Sequence, residues 1–362
     1  MKTLHRTAPA LAVAAVVAAA WTPTPARADC TPLLVSTDNS GGVFDATEWP
    51  GGAPMDDFAA ILQAINEPGL CVRLIAPMFG NWQAATSRFV TDFLVREKPE
   101  AQEVEVVTGA VYDVFSNEWL NAKGRLVPTF PGDACSNDAV GAMEHHLRQE
   151  EAAILAIGPL TDVACLASVH RKLVPRIREV VWLAGRSAEA QLPAGDPDDP
   201  LTQFPDLNYD KDPGAARVAL DVLSEEGVPV RVVGGAVVLD SKVKPLVKLL
   251  QGGRETVLRT YARTLAEKIT DLGLLDTDPF DSTALNALLA PQHYRCREMG
   301  YRILPCGLTA PDFLKDVCTT GDERTALWFS EEFERRGPTA FCEGFAPGGK
   351  EAVEERIRKM TY

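Results

Sequence analysis

The chain reads as a single α/β domain built on a mostly parallel sheet with helices on both faces. Two observations predict this. Apolar β-rich runs alternate with helix-period segments along most of the length, and the runs are continuously apolar rather than alternating, as strands buried on both sides require. In addition, no repeat, low-complexity tract or convincing linker divides the 362 residues, a length that α/β folds often reach undivided.

Taken in order, Leu33, Leu34 and Val35 form a short first strand. Residues 56–65 follow as a helix with Phe58, Ile61, Leu62 and Ile65 on one face. A strand is expected over 72–76, then a helical stripe of Phe89, Val90, Phe93 and Leu94. Further strands are expected over 104–107, 153–157, 180–184 and 230–233, with helices over 139–149, 214–225 and 255–272. In such sheets ligands sit beyond the carboxyl ends of the strands, so chemistry is sought there.

The ends and the cysteines speak to compartment. Lys2 and Arg6 precede an apolar run from Ala8 to Trp21, and Ala26-Arg27-Ala28 is a small-residue cleavage site. This is the layout of an export signal over 1–28, leaving a domain over 29–362. A membrane anchor is the alternative, but the run is shorter than the ~20 residues a spanning helix needs. All eight cysteines lie beyond residue 28, an even count that reads as disulfides in an exported chain. Cys30–Cys71 is an expected pair because each residue precedes an apolar strand, and Cys296–Cys306 because they are close in the chain. Four bridges are expected, in a secreted or periplasmic protein. The net charge of −14 excludes nucleic-acid polymers and anionic membranes as natural partners, while tolerating neutral small substrates and divalent cations.

Acids gather at strand ends. Thr37-Asp38-Asn39 ends the first strand and Met55-Asp56-Asp57 opens the next helix. Acids favour a first helical turn on their own account. Asp38, Asp56 and Asp57 crowded together, however, repel unless a cation sits among them, and calcium suits such oxygen ligands. Asp281, before the helical run 283–289, is either an N-cap or a functional acid. A phosphatase-type use of the acids would need a phosphate loop or a nearby Lys or Arg, and neither is evident around Asp38 in the sequence.

In this order the pieces resemble the inosine–uridine nucleoside hydrolase family. Thr37-Asp38 and Met55-Asp56-Asp57 look like the two halves of its D-T-D-P-G-x-D-D motif, and Phe79-Gly80-Asn81 resembles its strand ending in G-N. Gly158-Pro159-Leu160-Thr161-Asp162 follows its G-P-L-T-N turn, and Val180 to Gly185 stands where the family has a strand ending in M-G-G. Asp206-Leu207-Asn208, running on to Asp212-Pro213-Gly214-Ala215-Ala216, resembles its E-F-N-x-x-x-D-P-x-A-A.

The resemblance implies a Rossmann-like, nucleoside hydrolase-like domain that cleaves the N-glycosidic bond of ribonucleosides. It implies a calcium ion held by Asp38, Asp57, the backbone carbonyl of Ile157, and Asp281. Asp38 would act as base for a calcium-bound water. Asp56, Asn81 and Asn208 would bind the ribose, Asp206 would replace a Glu, and Leu183 would replace a Met under the sugar. It also implies a homodimer or homotetramer.

Three departures stand out. An insertion separates Asp38 from Asp56, either a surface hairpin or a lid. Phe280 stands where many members carry a leaving-group His; it stacks on a base but donates no proton. The stretch from Leu183 to Asp206 is longer than usual and rich in acid and proline, and the family's additional ribose-binding Asn has no evident counterpart. A calcium-stabilised sugar-binding or degenerate homologue therefore stands as the alternative to an efficient hydrolase.

Overall fold

A computed structural model describes residues 30–40, 56–98, 101, 103–115, 135–187, 206–235, 237, 256–258, 260–261, 263–264, 280–305 and 325–359. The 1–28 segment expected to direct export, most of both insertions, Cys306 and Cys318 lie outside the described residues.

The chain opens with β1 (Thr31–Thr37), α1 (Asp56–Asn66), β2 (Leu70–Pro77), α2 (Ala84–Arg96) and the two-residue β3 (Glu105–Val106). Next come α3 (Asp138–Gln149), β4 (Ala152–Ile157), α4 (Thr161–Val169), β5 (Ile177–Leu183) and the short β6 (Arg186–Ser187). A one-turn α5 (Leu207–Asp210), α6 (Pro213–Glu225) and β7 (Val230–Val233) follow. After α7 (Phe280–Leu289), the chain ends with β8 (Tyr294–Glu298), β9 (Gly300–Pro305), β10 (Thr325–Ser330), β11 (Thr339–Phe345) and α8 (Gly349–Arg358).

Eight strands form one sheet in the order β3-β2-β1-β4-β5-β7-β11-β8. Every pairing is parallel except that of β8 with β11. The mostly parallel sheet expected from the sequence is therefore the observed one. A small second sheet, β6-β10-β9, and the antiparallel edge were not foreseen. Of the expected 255–272 helix, residues 256–258, 260–261 and 263–264 are described, and all of these but 256 are helical.

Side chains alternate along the strands into two cores. Leu33, Val35 and Ile75 join α1 and α7 on one face. Leu34, Leu74 and Ala76 join α3, α4 and α6 on the other. Because both faces are covered, α1 is buried from Asp57 through Ile65, and each of its large apolar side chains contributes about 1.5–3 kcal/mol. One residue departs from its expected face: Phe89 on α2 is 74% exposed, while Val90 and Leu94 point inward.

The Cys30–Cys71 bridge forms as expected, joining β1 and β2, and a second bridge links Cys135 to Cys165. The third corrects the sequence reading: Cys296 pairs with Cys342, not Cys306. The two face each other across the β8–β11 ladder, with Cα atoms 3.9 Å apart, so cross-strand register overrode closeness in the chain. Each bridge closes a loop of 30–46 residues, stabilising by about 4 kcal/mol on the chain-entropy account. Among the described residues, no helix is long and apolar enough to cross a membrane.

Candidate active site

From β1 the chain steps to β2 and β3 on one side, then crosses to β4 on the other. The order therefore reverses between β1 and β4, the switch point where open α/β sheets bind ligands. Thr37 pairs with Ile157 across it, so the residues that follow, Asp38 and Gly158, are neighbours at the carboxyl ends.

Asp38 is almost wholly buried. Its Oδ2 accepts the Asn81 backbone N–H at 2.7 Å, and its Oδ1 is buried without a hydrogen-bond partner. Two glycines make the room. A Cβ on Gly80, whose φ is +151°, would lie 2.1 Å from Asp38 Oδ2, and one on Gly158 would lie 3.1 Å from Oδ1. Trp182 Nε1 donates to the Gly158 carbonyl at 3.2 Å, fixing that turn against β5.

Asp57, in the first turn of α1, accepts from Thr37 Oγ1 on Oδ1 and from Asn81 Nδ2 on Oδ2 at 3.2 Å. Asp281 lies inside the first turn of α7, which begins at Phe280, so it is not the N-cap of a helix starting at 283. Carboxylate oxygens of Asp56, Asp57 and Asp281 come within 4.8 Å of one another, a spacing able to hold a metal ion. Asp38 stands beside this trio. Burial first, then the charges of Asp38 and Asp56, push the Asp57 carboxyl well above its usual range. Asp281 is raised in the same way by burial and by Asp56, Asp57 and Asp38. Burial raises Asp38 to about 7 against the lowering effect of the Asn81 N–H, and Asp56 adds to the rise. Three buried carboxyl groups whose ionisation burial and neighbouring carboxylates discourage, with Asp56 beside them, fit a hard divalent cation: it replaces lost hydration and cancels the repulsion.

The remaining predicted residues take unequal parts in the fold. Ile157 ends β4 beside Thr37, where its carbonyl belongs to the same strand-end layer. Leu183 ends β5, and its carbonyl accepts Asn208 Nδ2 at 3.0 Å. Asp206 is turned toward structural work: Oδ2 accepts the Gly185 N–H, and Oδ1 accepts the Tyr209 N–H at 3.4 Å. Gly185 has φ +78°, a left-handed turn that presents its N–H to Asp206. Phe280 is partly buried and packs against the core shared by α1 and α7.

One contributor escaped the sequence reading. The charge of Lys211 lies near enough to Asp38 to lower its pKa, so a cation does adjoin the cluster. Its position three residues beyond Asn208 in the resembled motif was the available signal.

A family model described as inosine-uridine preferring nucleoside hydrolase matches residues 50–327. The chain belongs to that family. The match begins after Asp38, so the place of Asp38 rests on the β1–β4 register and on the Asn81 contact. A solved inosine–guanosine nucleoside hydrolase shares 16% identity with a TM-score of 0.61, covering 91% of this chain and 98% of its own. A purine-preferring ribonucleoside hydrolase from Gardnerella vaginalis gives 0.58 at 14% identity, covering 91% and 99%. A plant nucleoside hydrolase gives 0.56 at 16% identity, also covering 91% and 99%. These likenesses establish the fold. No curated protein matches the chain.

Proposed function

We propose that this family member is an exported, calcium-dependent hydrolase that cleaves the N-glycosidic bond of ribonucleosides, giving ribose and free base. The observation carrying this reading is the group of Asp38, Asp56, Asp57 and Asp281 at the switch point, each of the three buried ones held above its ordinary pKa. Asp38, Asp57, the Ile157 carbonyl and Asp281 would hold the ion. When bound, calcium would supply the charge that orients the ribose hydroxyls and acidifies a water.

The chain's own groups do the rest. Asp38 Oδ2 is tied to the Asn81 N–H, which leaves Oδ1 to take the proton of the attacking water. A base so placed contributes about 10²–10⁴-fold. Breaking the ribosyl C–N bond builds positive charge on the sugar, and the neighbouring carboxylates stabilise it as it develops. Asp56, Asn81 and Asn208 are the ribose contacts, with Leu183 beneath the sugar. Phe280 stacks on the base without protonating it, so substrates with readily departing bases are favoured.

The disulfides and the 1–28 segment support an exported, secreted or periplasmic location. Assembly as a homodimer or homotetramer belongs to the same proposal. One observation favours the alternative of a binding homologue: both Asp206 oxygens already accept backbone N–H groups, leaving less of this carboxylate for the sugar. Reducing-sugar release from a panel of purine and pyrimidine ribonucleosides, with calcium and then with a chelator, separates the two. Turnover removed by the chelator supports the hydrolase. Nucleoside binding without turnover at saturating calcium supports the alternative.

A further inference from the structure

A second buried carboxylate lies behind the first. Asp162, in the first turn of α4, is wholly inaccessible. Its Oδ1 accepts the Ala110 backbone N–H and Asn137 Nδ2, both at 2.9 Å. Its Oδ2 is buried without a hydrogen-bond partner, and a Cβ on Gly109 would lie 2.1 Å from it. Asn137 is itself held on two sides. Its Oδ1 caps α3 through the Val140 N–H at 2.9 Å, and the nearby Cys135 is bridged to Cys165, one turn beyond Asp162 on α4.

The other end of this linkage is the loop that carries the acid cluster. The Ala110 carbonyl accepts the Phe79 N–H at 2.9 Å, and Gly109 N–H donates to the Pro77 carbonyl at 2.8 Å. Two residues past Phe79, Asn81 gives its backbone N–H to Asp38 and its side-chain amide to Asp57. We propose that Asp162 is a positioning residue: by fixing the 109–110 backbone it holds the 78–81 loop, and with it the orientation of Asp38. The Cys135–Cys165 bridge keeps Asn137 in reach of Asp162. Burying a carboxylate with one orphan oxygen costs free energy, and here Oδ1 alone is engaged, by two donors. The group the position requires is thus the Oδ1 acceptor, which Asp and Asn share.

This inference rests on the hydrolase reading for its kinetic arm but not for its structural one. The test uses the full chain with Asp162→Ala and Asp162→Asn. Loss of the acceptor in Asp162→Ala lowers kcat about 10–100-fold, the scale of an ångström-sized misplacement, with KM changing much less. Asp162→Asn restores kcat to near the wild-type value. Amide hydrogen exchange at residues 78–81 is faster in the Ala variant and normal in the Asn variant, whether or not any nucleoside turns over. Should Asp162→Ala fail to fold, Asn137→Ala takes its place, with the same selective loss of kcat and faster exchange expected. Unchanged exchange at 78–81 in Asp162→Ala, or in Asn137→Ala where that donor-deficient variant replaces it, would overturn the inference. So would an Asn variant no better than Ala. If the wild type turns over no nucleoside while the exchange pattern holds, the proposed function fails and the positioning role stands.

Discussion

At the β8 edge of the sheet, Arg295 and Arg297 meet Glu343 at 3.2 and 2.6 Å, Arg297 also reaches Glu331 at 2.9 Å, and Arg335 reaches Glu298 at 3.1 Å. Glu298, Glu331 and Glu343 each have a basic partner on a neighbouring segment. At the carboxyl ends of β1 and β4 the pattern inverts. Asp38, Asp57 and Asp281 are buried together with Asp56 beside them, and among the described residues Lys211 is the cation that offsets the charge of Asp38. Partly exposed pairs are worth little and are self-sufficient. Buried like charges destabilise the chain that holds them, so their retention points to a partner from outside. The same fold thus balances charge internally at its edge and leaves it unbalanced at its switch point.

The largest effect that would break this contrast concerns the metal. Asp57→Ala or Asp281→Ala is expected to abolish calcium binding and, with it, nucleoside hydrolysis, as read by calorimetry and sugar release. Retained calcium affinity in both variants would remove the site. Next, Asp38→Asn should keep the fold, by circular dichroism, while lowering kcat about 10²–10⁴-fold, the usual worth of a positioned base. A fully active Asp38→Asn would remove it from that role.

A third effect is on stability. Asp38 titrates near 7 in the folded chain and, unfolded, at about 3.9. Its folded pKa is raised, so below about 4 it costs nothing, and stability is lost as pH rises toward 7. In chelator-treated protein, the melting temperature of the wild type should therefore fall relative to Asp38→Asn across that window, then run parallel above it. Calcium should shrink the difference; a difference that grows toward acid would reverse the assignment. The smallest effect belongs to the edge: Glu343→Gln is expected to change stability by about 1 kcal/mol or less and leave sugar release unchanged.

How much of this was legible in the sequence follows from the range of the forces involved. β1, β2, β4, β5 and β7 announce themselves because strands buried on both faces are continuously apolar. The segment YRCRE of β8 carries no such run, and its pairing with β11 depends on a cross-strand partner forty-odd residues away, so neither the edge nor Cys296–Cys342 could be read locally. In the site, Asp56, Asp57 and Asn81 were visible through helix-start and strand-end motifs. The close packing of Asp38 between Gly80 and Gly158, the inward turn of Asp206, the charge of Lys211 and the linkage through Asp162 arise from contacts between distant segments. No local pattern encodes them. Phe89 shows the limit from the other side: helical spacing placed it on the apolar stripe, yet the helix is rotated so that it faces out.

The most direct test of the central claim is a calcium titration of the chelator-treated protein, followed by calorimetry and by the melting temperature. The account predicts saturable binding of one ion per chain that raises the melting temperature and is lost in Asp57→Ala. Absence of calcium binding, or binding indifferent to Asp57 and Asp281, would contradict it.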